Sequence, residues 1–368
     1  MSQSKNLKLP LIVVLSLFVS VAAFSQNIKT PRPSPMATLT QKIGLTDVSV
    51  TYSRPSVVRG NNDRKGQIWG NQVPYGLAPN GFGNKKPMPW RAGANENTVI
   101  TFSTDVQVEG KDIAAGSYGL HMIPEERGKV TVIFSENISS WGSFWYEEGE
   151  DVLRVEVEMN DSPFTNVLTY DFTSFGNMEG TLSLTWDDKE ISFKIASGQE
   201  VVLQSFRDEL RGLSGFEWQG TLSASRYCFQ NNINHDEAIG WADASIANTK
   251  NAQNLAVKAG LQIQKGDKVE GIKTADEASK LANLAQLNFL GYQMMGVQEY
   301  DKAIEYFKLN IKKNPEDANS HDSLGEAYMA KKDNKNAIKE FKKCLSMNPP
   351  QFVKDNSIKN LKTLGVEM

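Results

Sequence analysis

The chain has 368 residues, 40% of them hydrophobic and 23% charged, with a formal net charge of −3. That length sets a prior of two or three domains, and the composition is ordinary for globular protein. The slight negative balance gives no reason to expect nucleic acid as a partner.

Lys5 and Lys8 precede an apolar run from Leu9 to Phe24, and Ala23 and Ser25 are small residues of the kind a signal peptidase reads. This pattern predicts a signal peptide over 1–25, cleaved near Ser25 and Gln26. The run is short for a bilayer span of roughly 20 residues, and no second one follows. The expectation is therefore an exported chain, periplasmic or secreted, with no stable membrane span after cleavage; an uncleaved anchor is the competing reading. Cys228 and Cys344 are the only cysteines, too few for a disulfide framework. One bridge or two buried thiols both fit, and the second is preferred.

After a lead-in over 26–45, residues 46–197 alternate with period two. Val48, Val50 and Tyr52 alternate with Ser49 and Thr51, and Leu153, Val155, Val157 and Met159 with Arg154, Glu156 and Glu158. Further strands are predicted at 99–102, 105–108, 117–123, 130–134 and 167–172. Asn160-Asp161-Ser162-Pro163 reads as a turn, and Leu182–Trp186, Asp187-Asp188-Lys189 and Ile191–Ile195 read as a hairpin. Many short alternating strands predict an antiparallel all-β sandwich or jelly roll. Arg54 to Pro89 lacks apolar periodicity and is rich in Gly, Asn, Pro, Lys and Arg. Its cations offer contacts to an anionic ligand, although a solvated loop is the preferred reading.

The period turns helical after Ser197, with a connecting helix over 198–215 and repeats over 216–350. Gly291, Ala303, Ile304, Phe307, Asn314 and Pro315 recur as Gly325, Ala337, Ile338, Phe341, Asn348 and Pro349, each 34 residues on. Small residues let paired helices approach, the aromatic fills the groove between them, and proline ends the pair. This part resembles the tetratricopeptide repeat family, clearest over 284–317 and 318–351. Ala238 and Gly271 mark two weaker units, and 352–368 supplies a closing helix.

Motifs for catalysis are sparse. No phosphate-binding loop or calcium loop is present. His121, His235 and His321 are scattered, so neither a metal nor a cofactor is expected. Ala115 to Gly119, AGSYG, approaches a nucleophile elbow, but Ser117 runs into a strand, which is the wrong context. His121 is a weak general-base candidate; packing on a strand is the preferred reading.

WRAGANE, residues 90 to 96, packs an aromatic, a guanidinium, a glycine, an amide and a carboxylate into seven positions. Together with PYG, the strand that follows, WGSFWY and DVLRVEV, it resembles the bacterial domain of unknown function 2911 over about 35–196. That resemblance implies a secreted β domain, frequently followed by tetratricopeptide-type helices, and brings no established activity. Gly93 and Asn95 tolerate positive φ and suit a tight corner, with Arg91 and Glu96 paired to each other or to Asp151 and Arg154. Alternatively Trp90, Arg91, Trp141 and Tyr146, beside Trp145, form a platform for a glycan or peptide ligand, with Glu96, Asp151 and His121 as candidate catalytic groups. The corner is preferred.

The expectation is an exported, non-enzymatic two-part protein whose helical repeats bind a protein partner. Asn288, Tyr292, Met295, Asp322, Glu326 and Met329 are predicted to line the groove. The competing reading is that the repeats only brace the β domain. The alternative function is a glycan- or peptide-binding or processing protein with its site on the β domain.

Overall fold

The computed structural model describes residues 30–367; the expected signal peptide and cleavage point lie outside them. The chain divides into two units at Val201 and Val202.

The first unit is all-β. Its strands are β1 (Met36–Ile43), β2 (Thr46–Ser53), β3 (Val58–Arg59), β4 (Asn62–Asp63), β5 (Thr98–Phe102), β6 (Val106–Val108), β7 (Lys111–Ile113), β8 (Gly116–Pro124), β9 (Lys129–Ser135), β10 (Asp151–Phe175) and β11 (Glu179–Ser197). Nine of them form one sheet, ordered β1-β2-β5-β8-β9-β10-β11-β6-β7, while β3 and β4 make a separate ribbon. Every pairing is antiparallel. The alternation puts one face inside: Val48, Val50 and Tyr52 are buried, as are Leu182, Leu184, Ile191, Phe193 and Ile195. β1 falls within the stretch read as a lead-in.

Two predicted turns are absent. Asn160–Pro163 lies within β10 and Asp187–Lys189 within β11, so neither four-residue turn nor hairpin exists there. The two polar runs lie opposite each other, with Asp161 facing Lys189 and Thr165 facing Asp187, across register shifts. Asp187 takes a φ of 56°. Polar, irregular residues on both strands allow a shared bulge, which bends a strand where a turn would end it. The bend lets β10 serve both layers of the sandwich: residues 151–158 pair with β9 and residues 159–175 with β11. Across the core Tyr52 meets Tyr170 edge-on at 4.7 Å and Phe134 meets Phe193 at 5.9 Å.

The second unit is helical: α1 (Gln199–Glu209), α2 (Trp218–Asn231), α3 (His235–Asn248), α4 (Ala252–Lys265), α5 (Lys268–Leu281), α6 (Leu284–Gly296), α7 (Tyr300–Lys313), α8 (Ala318–Ala330), α9 (Asn334–Ser346) and α10 (Gln351–Thr363). Helices pack as four consecutive pairs from α2 to α9, and α10 packs on α8 and α9. Asn232, Gly266, Gln298 and Lys332, spaced 34, 32 and 34 residues apart, turn the chain at positive φ between the two helices of each pair. The repeat glycines have a steric reason. A Cβ on Gly291 would lie 2.4 Å from the Phe307 ring, and one on Gly325 2.6 Å from Phe341. Cys228 and Cys344 are buried free thiols. Among the described residues no helix is long and apolar enough to cross a membrane.

Candidate functional site

The WRAGANE stretch is stitched into the sheet at its first residue. Trp90 exchanges backbone hydrogen bonds with Met122 on β8, 2.9 and 2.8 Å long. The backbone then turns at Ala92 (φ 49°) and Asn95 (φ 61°). Gly93 is not at positive φ; its lack of a side chain matters because a Cβ would meet the Thr98 hydroxyl at 2.6 Å. The buried Ala92 carbonyl accepts from Tyr170 Oη at 2.9 Å and from Thr98 Oγ1 at 3.2 Å. Non-glycine positive φ costs energy that the surroundings must offset, and these two bonds hold the strained corner.

The charged residues of the corner take partners other than those expected. Arg91 pairs with neither Glu96 nor Asp151. Its Nη1 donates to the Asn95 carbonyl at 2.7 Å and its guanidinium lies 4.8 Å from the centre of the Phe144 ring. Gly142, at φ 63°, leaves the room: a Cβ there would sit 2.2 Å from Arg91 Cζ. With no carboxylate opposite, burial lowers the Arg91 pKa from its ordinary value. Glu96 pairs with Arg32 at 2.5 Å. Burial works against its charge, but its own backbone N–H and Arg32 hold the carboxyl below the usual range.

Asp151 belongs to a separate cluster. Its Oδ2 accepts from Tyr146 Oη at 2.7 Å and Arg154 Nε at 2.6 Å, and Arg154 Nη2 donates to Tyr146 Oη at 2.7 Å. Burial, then the bond to Asp151, pushes the Tyr146 phenol above its ordinary range. His121 is 2% exposed, with Nδ1 2.8 Å from Ser143 Oγ and its ring edge-on to Tyr146 at 5.5 Å. Burial, aided by the Arg91 charge, lowers its pKa to about 4, so the ring is neutral at pH 7. Ser143 is itself buried at 1% exposure, so this Ser–His pair has no open face for a substrate. His121, Tyr146 and Asp151 thus form one internal network, and Glu96 is committed elsewhere.

The aromatic platform divides. Trp141 and Trp145 are exposed at 49% and 50%. Trp90 instead stacks on Trp186 at 6.2 Å, with Trp69 edge-on to both. The stretch before the corner is solvated over much of its length, as expected, but anchored: Val57, Ile68 and Val73 are buried in the domain core. Between this folded stretch and the corner lies a cavity of about 500 Å³. Arg59, Arg64, Gln72, Trp90, Arg91 and Trp186 are among its walls. Sequence reading offered Arg64 only among the cations of 54–89 and missed Trp186, because the two lie far apart in the chain and meet only through the fold. Among the described residues no group of three or more His, Cys, Asp or Glu is placed to hold a metal.

In the helical unit the six predicted groove residues separate into two groups. Asp322 is buried at 4% exposure and accepts from Asn356 Nδ2 at 2.7 Å and from the Ser357 hydroxyl. Glu326 accepts from Asn356 Nδ2 at 2.7 Å and Tyr292 Oη at 2.6 Å. The closing helix α10 therefore engages both acids. Met329 packs against the Phe341 and Leu361 cluster and Met295 against the neighbouring one. Tyr292 remains 37% exposed, and Asn288 Oδ1 is buried without a hydrogen-bond partner.

Comparison with known proteins follows the division into two units. The family model described as Protein of unknown function (DUF2911) matches residues 34–195, and that of the Tetratricopeptide repeat matches residues 318–351. The first match falls on the β unit and the second on one helix pair of the helical unit. Comparison with curated proteins finds no match. Similar solved structures include a crystal structure of MamA protein, at 20% identity and a TM-score of 0.29 over 39% of this chain and 79% of that one. Residues 41 to the end of MamA from Desulfovibrio magneticus RS-1 align at 17% identity and a TM-score of 0.27, over 42% and 90%. The Cut9-Hcn1 hetero-tetramer of APC/C aligns at 20% identity and 0.30, over 39% and 28%.

Proposed function

We propose that this is an exported, non-catalytic protein that holds a protein partner along the first helices of its repeat pairs. One observation carries the reading. Ser225 Oγ, Arg226 Nε, Gln262 Oε1, Gln264 Oε1, Asn288 Oδ1 and Gln293 Oε1 are buried without hydrogen-bond partners. All six belong to α2, α4 and α6, the first helices of three successive pairs. Among the described residues no such atom lies on the second helices. Each buried unpaired group costs about 1–3 kcal/mol, so a set of them on equivalent helices calls for a common partner. Ser225 and Gln262 are themselves buried, but at the half-buried Arg226, Gln264, Asn288 and Gln293 a polypeptide supplies what is missing: backbone N–H groups for the amide oxygens and backbone carbonyls for Arg226. Stacked helix pairs form the extended surface on which such a partner lies. The non-catalytic part is supported by the commitment of Glu96, Asp151 and His121 to internal partners.

Export rests on the charged and apolar pattern of the first 25 residues. Fractionation with N-terminal sequencing tests it: a mature chain beginning near Gln26 outside the cytoplasm is expected, and an intact chain in the cytoplasm sinks that part. The partner is tested on the full mature chain with benzoylphenylalanine placed at Tyr292 or, on a second helix, at the exposed Lys339. One specific protein adduct from position 292 and none from 339 is expected. Equal adducts from both positions, or none from either, would remove the groove from the account.

A further inference from the structure

The β-unit cavity has an unusual electrostatic character. Its walls carry three arginines, Arg59, Arg64 and Arg91, and not one Asp or Glu. This is in a chain with 43 acidic and 40 basic residues, where an acid-free lining is not the default. The two inner arginines are fixed by neutral groups. Arg64 donates to the Ser56 carbonyl, to Gln72 Oε1 at 3.2 Å and to the Val57 carbonyl at 3.5 Å. Arg91 is held by the Asn95 carbonyl and the Phe144 ring. Arg59 is exposed on the β3–β4 ribbon. None of the three has an ion pair among the described residues, whereas Arg32, Arg154 and Arg207 in the same chain do.

A second, independent observation lies in the same wall. Trp186 is 3% exposed, and its indole N–H is buried with no acceptor. A buried donor left unpaired is as costly as an unpaired acceptor, so the cavity walls carry cations without ion pairs and a neutral donor without an acceptor. Neutral sugar or amide ligands would bring donors as well as acceptors and leave the charge unbalanced. The remaining walls are apolar, among them Val73, Pro74, Met88 and Trp90. The cavity, about 500 Å³, falls in the range of roughly 300–1,000 Å³ common for small-molecule sites.

We infer that this cavity binds a small organic carboxylate with an apolar, ring-bearing body. A guanidinium fork accepts a carboxylate in two parallel hydrogen bonds. Arg64 and Arg91 are held ready for this by their neutral partners, the Trp186 N–H supplies a further donor, and the apolar body lies along Trp90. A phosphomonoester shares the acceptor chemistry but brings nearly two charges and more polar surface, which the apolar walls do not favour.

The test uses the full mature chain and follows tryptophan fluorescence and titration calorimetry. The probes are benzoate, 3-phenylpropionate and indole-3-acetate, each beside its neutral amide, with phenyl phosphate and inorganic phosphate as further arms. At least one carboxylate is expected to saturate, with its amide about tenfold or more weaker, the loss expected of a charge-assisted pair. Arg91→Gln should weaken that carboxylate about tenfold or more, and Trp186→Phe by about fivefold, while the amide changes little. Should those buried variants fail to fold, Arg59→Gln on the exposed ribbon still reports, with an expected loss of about two- to fivefold. Equal affinity for acid and amide would overturn the proposal. So would tighter binding of phenyl phosphate or inorganic phosphate, or no saturation by any carboxylate below about 10 mM.

Discussion

The β unit and the helical unit solve the problem of a core in different ways. In the β unit a single cluster of buried side chains draws on β1, β2, β5, β6, β7, β8, β9, β10 and β11 together with the irregular stretch before β5. In the helical unit the core breaks into several clusters, each shared by a few neighbouring helices. The first arrangement depends on pairings between residues far apart in the chain, such as Tyr52 with Tyr170. The second depends on contacts repeated about every 34 residues. The β unit should therefore respond to damage as a whole, while damage to the repeats stays near its origin.

Matched cavities test this contrast, and they carry the largest expected effect. Phe134 and Phe341 are both fully buried. Each Phe→Ala change should cost about 3–5 kcal/mol. Hydrogen exchange should separate them: in Phe134→Ala protection falls across the whole nine-stranded sheet, whereas in Phe341→Ala it falls mainly in α8, α9 and α10. A Phe341→Ala protein that loses protection equally in α2 and α3 would refute the local character of the helical unit.

A second contrast is in pH. His121 is neutral in the folded β unit, with its pKa lowered from 6.5 to about 4 by burial and then by Arg91. Between those values the unfolded chain binds the extra proton, so stability falls with acidification. The contribution is complete above about pH 6.5 and is lost as pH falls through about 4, a total of at most about 3 kcal/mol. Asp322 in the helical unit has the opposite sign, because burial raises its pKa despite the bonds from Ser357 and Asn356; it favours the folded state as pH falls. Denaturant unfolding of wild type and His121→Asn from pH 7.5 to 4.5 measures the first effect. The variant should lose much of the slope of the β transition, and an unchanged slope would exclude His121 as its source.

The same contrast explains what could be read from the sequence. The 34-residue period is legible because the contacts that impose it are local: Gly291 exists to admit Phe307, 16 residues on. Strand faces were legible too, since Val48, Val50 and Tyr52 need only an inside and an outside. The bend in β10 and β11 was not. Asp187-Asp188-Lys189 has the composition of a turn, and only its pairing with the opposite polar run makes it a bulge. In the corner, Asn95 declared its positive φ but Ala92 did not, because what secures it is Tyr170, 78 residues away. Arg91 looked like half of an ion pair, and its companions Gly142 and Phe144 are recognisable only once the loop before β10 folds over it.

The smallest expected effect tests the repeats against themselves. Asn288, Asp322 and Asn356 occupy equivalent positions 34 residues apart on α6, α8 and α10. At the closed end Asn356 donates to both Asp322 and Glu326. Removing it by Asn356→Ala takes one donor from each carboxylate, leaving Asp322 with Ser357 and Glu326 with Tyr292, and should cost about 1–3 kcal/mol. At Asn288 the side-chain oxygen has nothing to lose, since no partner meets it. Asn288→Ala should therefore not destabilise the fold, and relief of the unpaired acceptor should raise stability by up to about 1–3 kcal/mol less the packing lost, while weakening capture of the partner cross-linked from position 292. If both alanine variants lose the same stability, Asn288 is part of the scaffold in the way Asn356 is, and the unpaired atoms of the first helices no longer speak for a bound polypeptide.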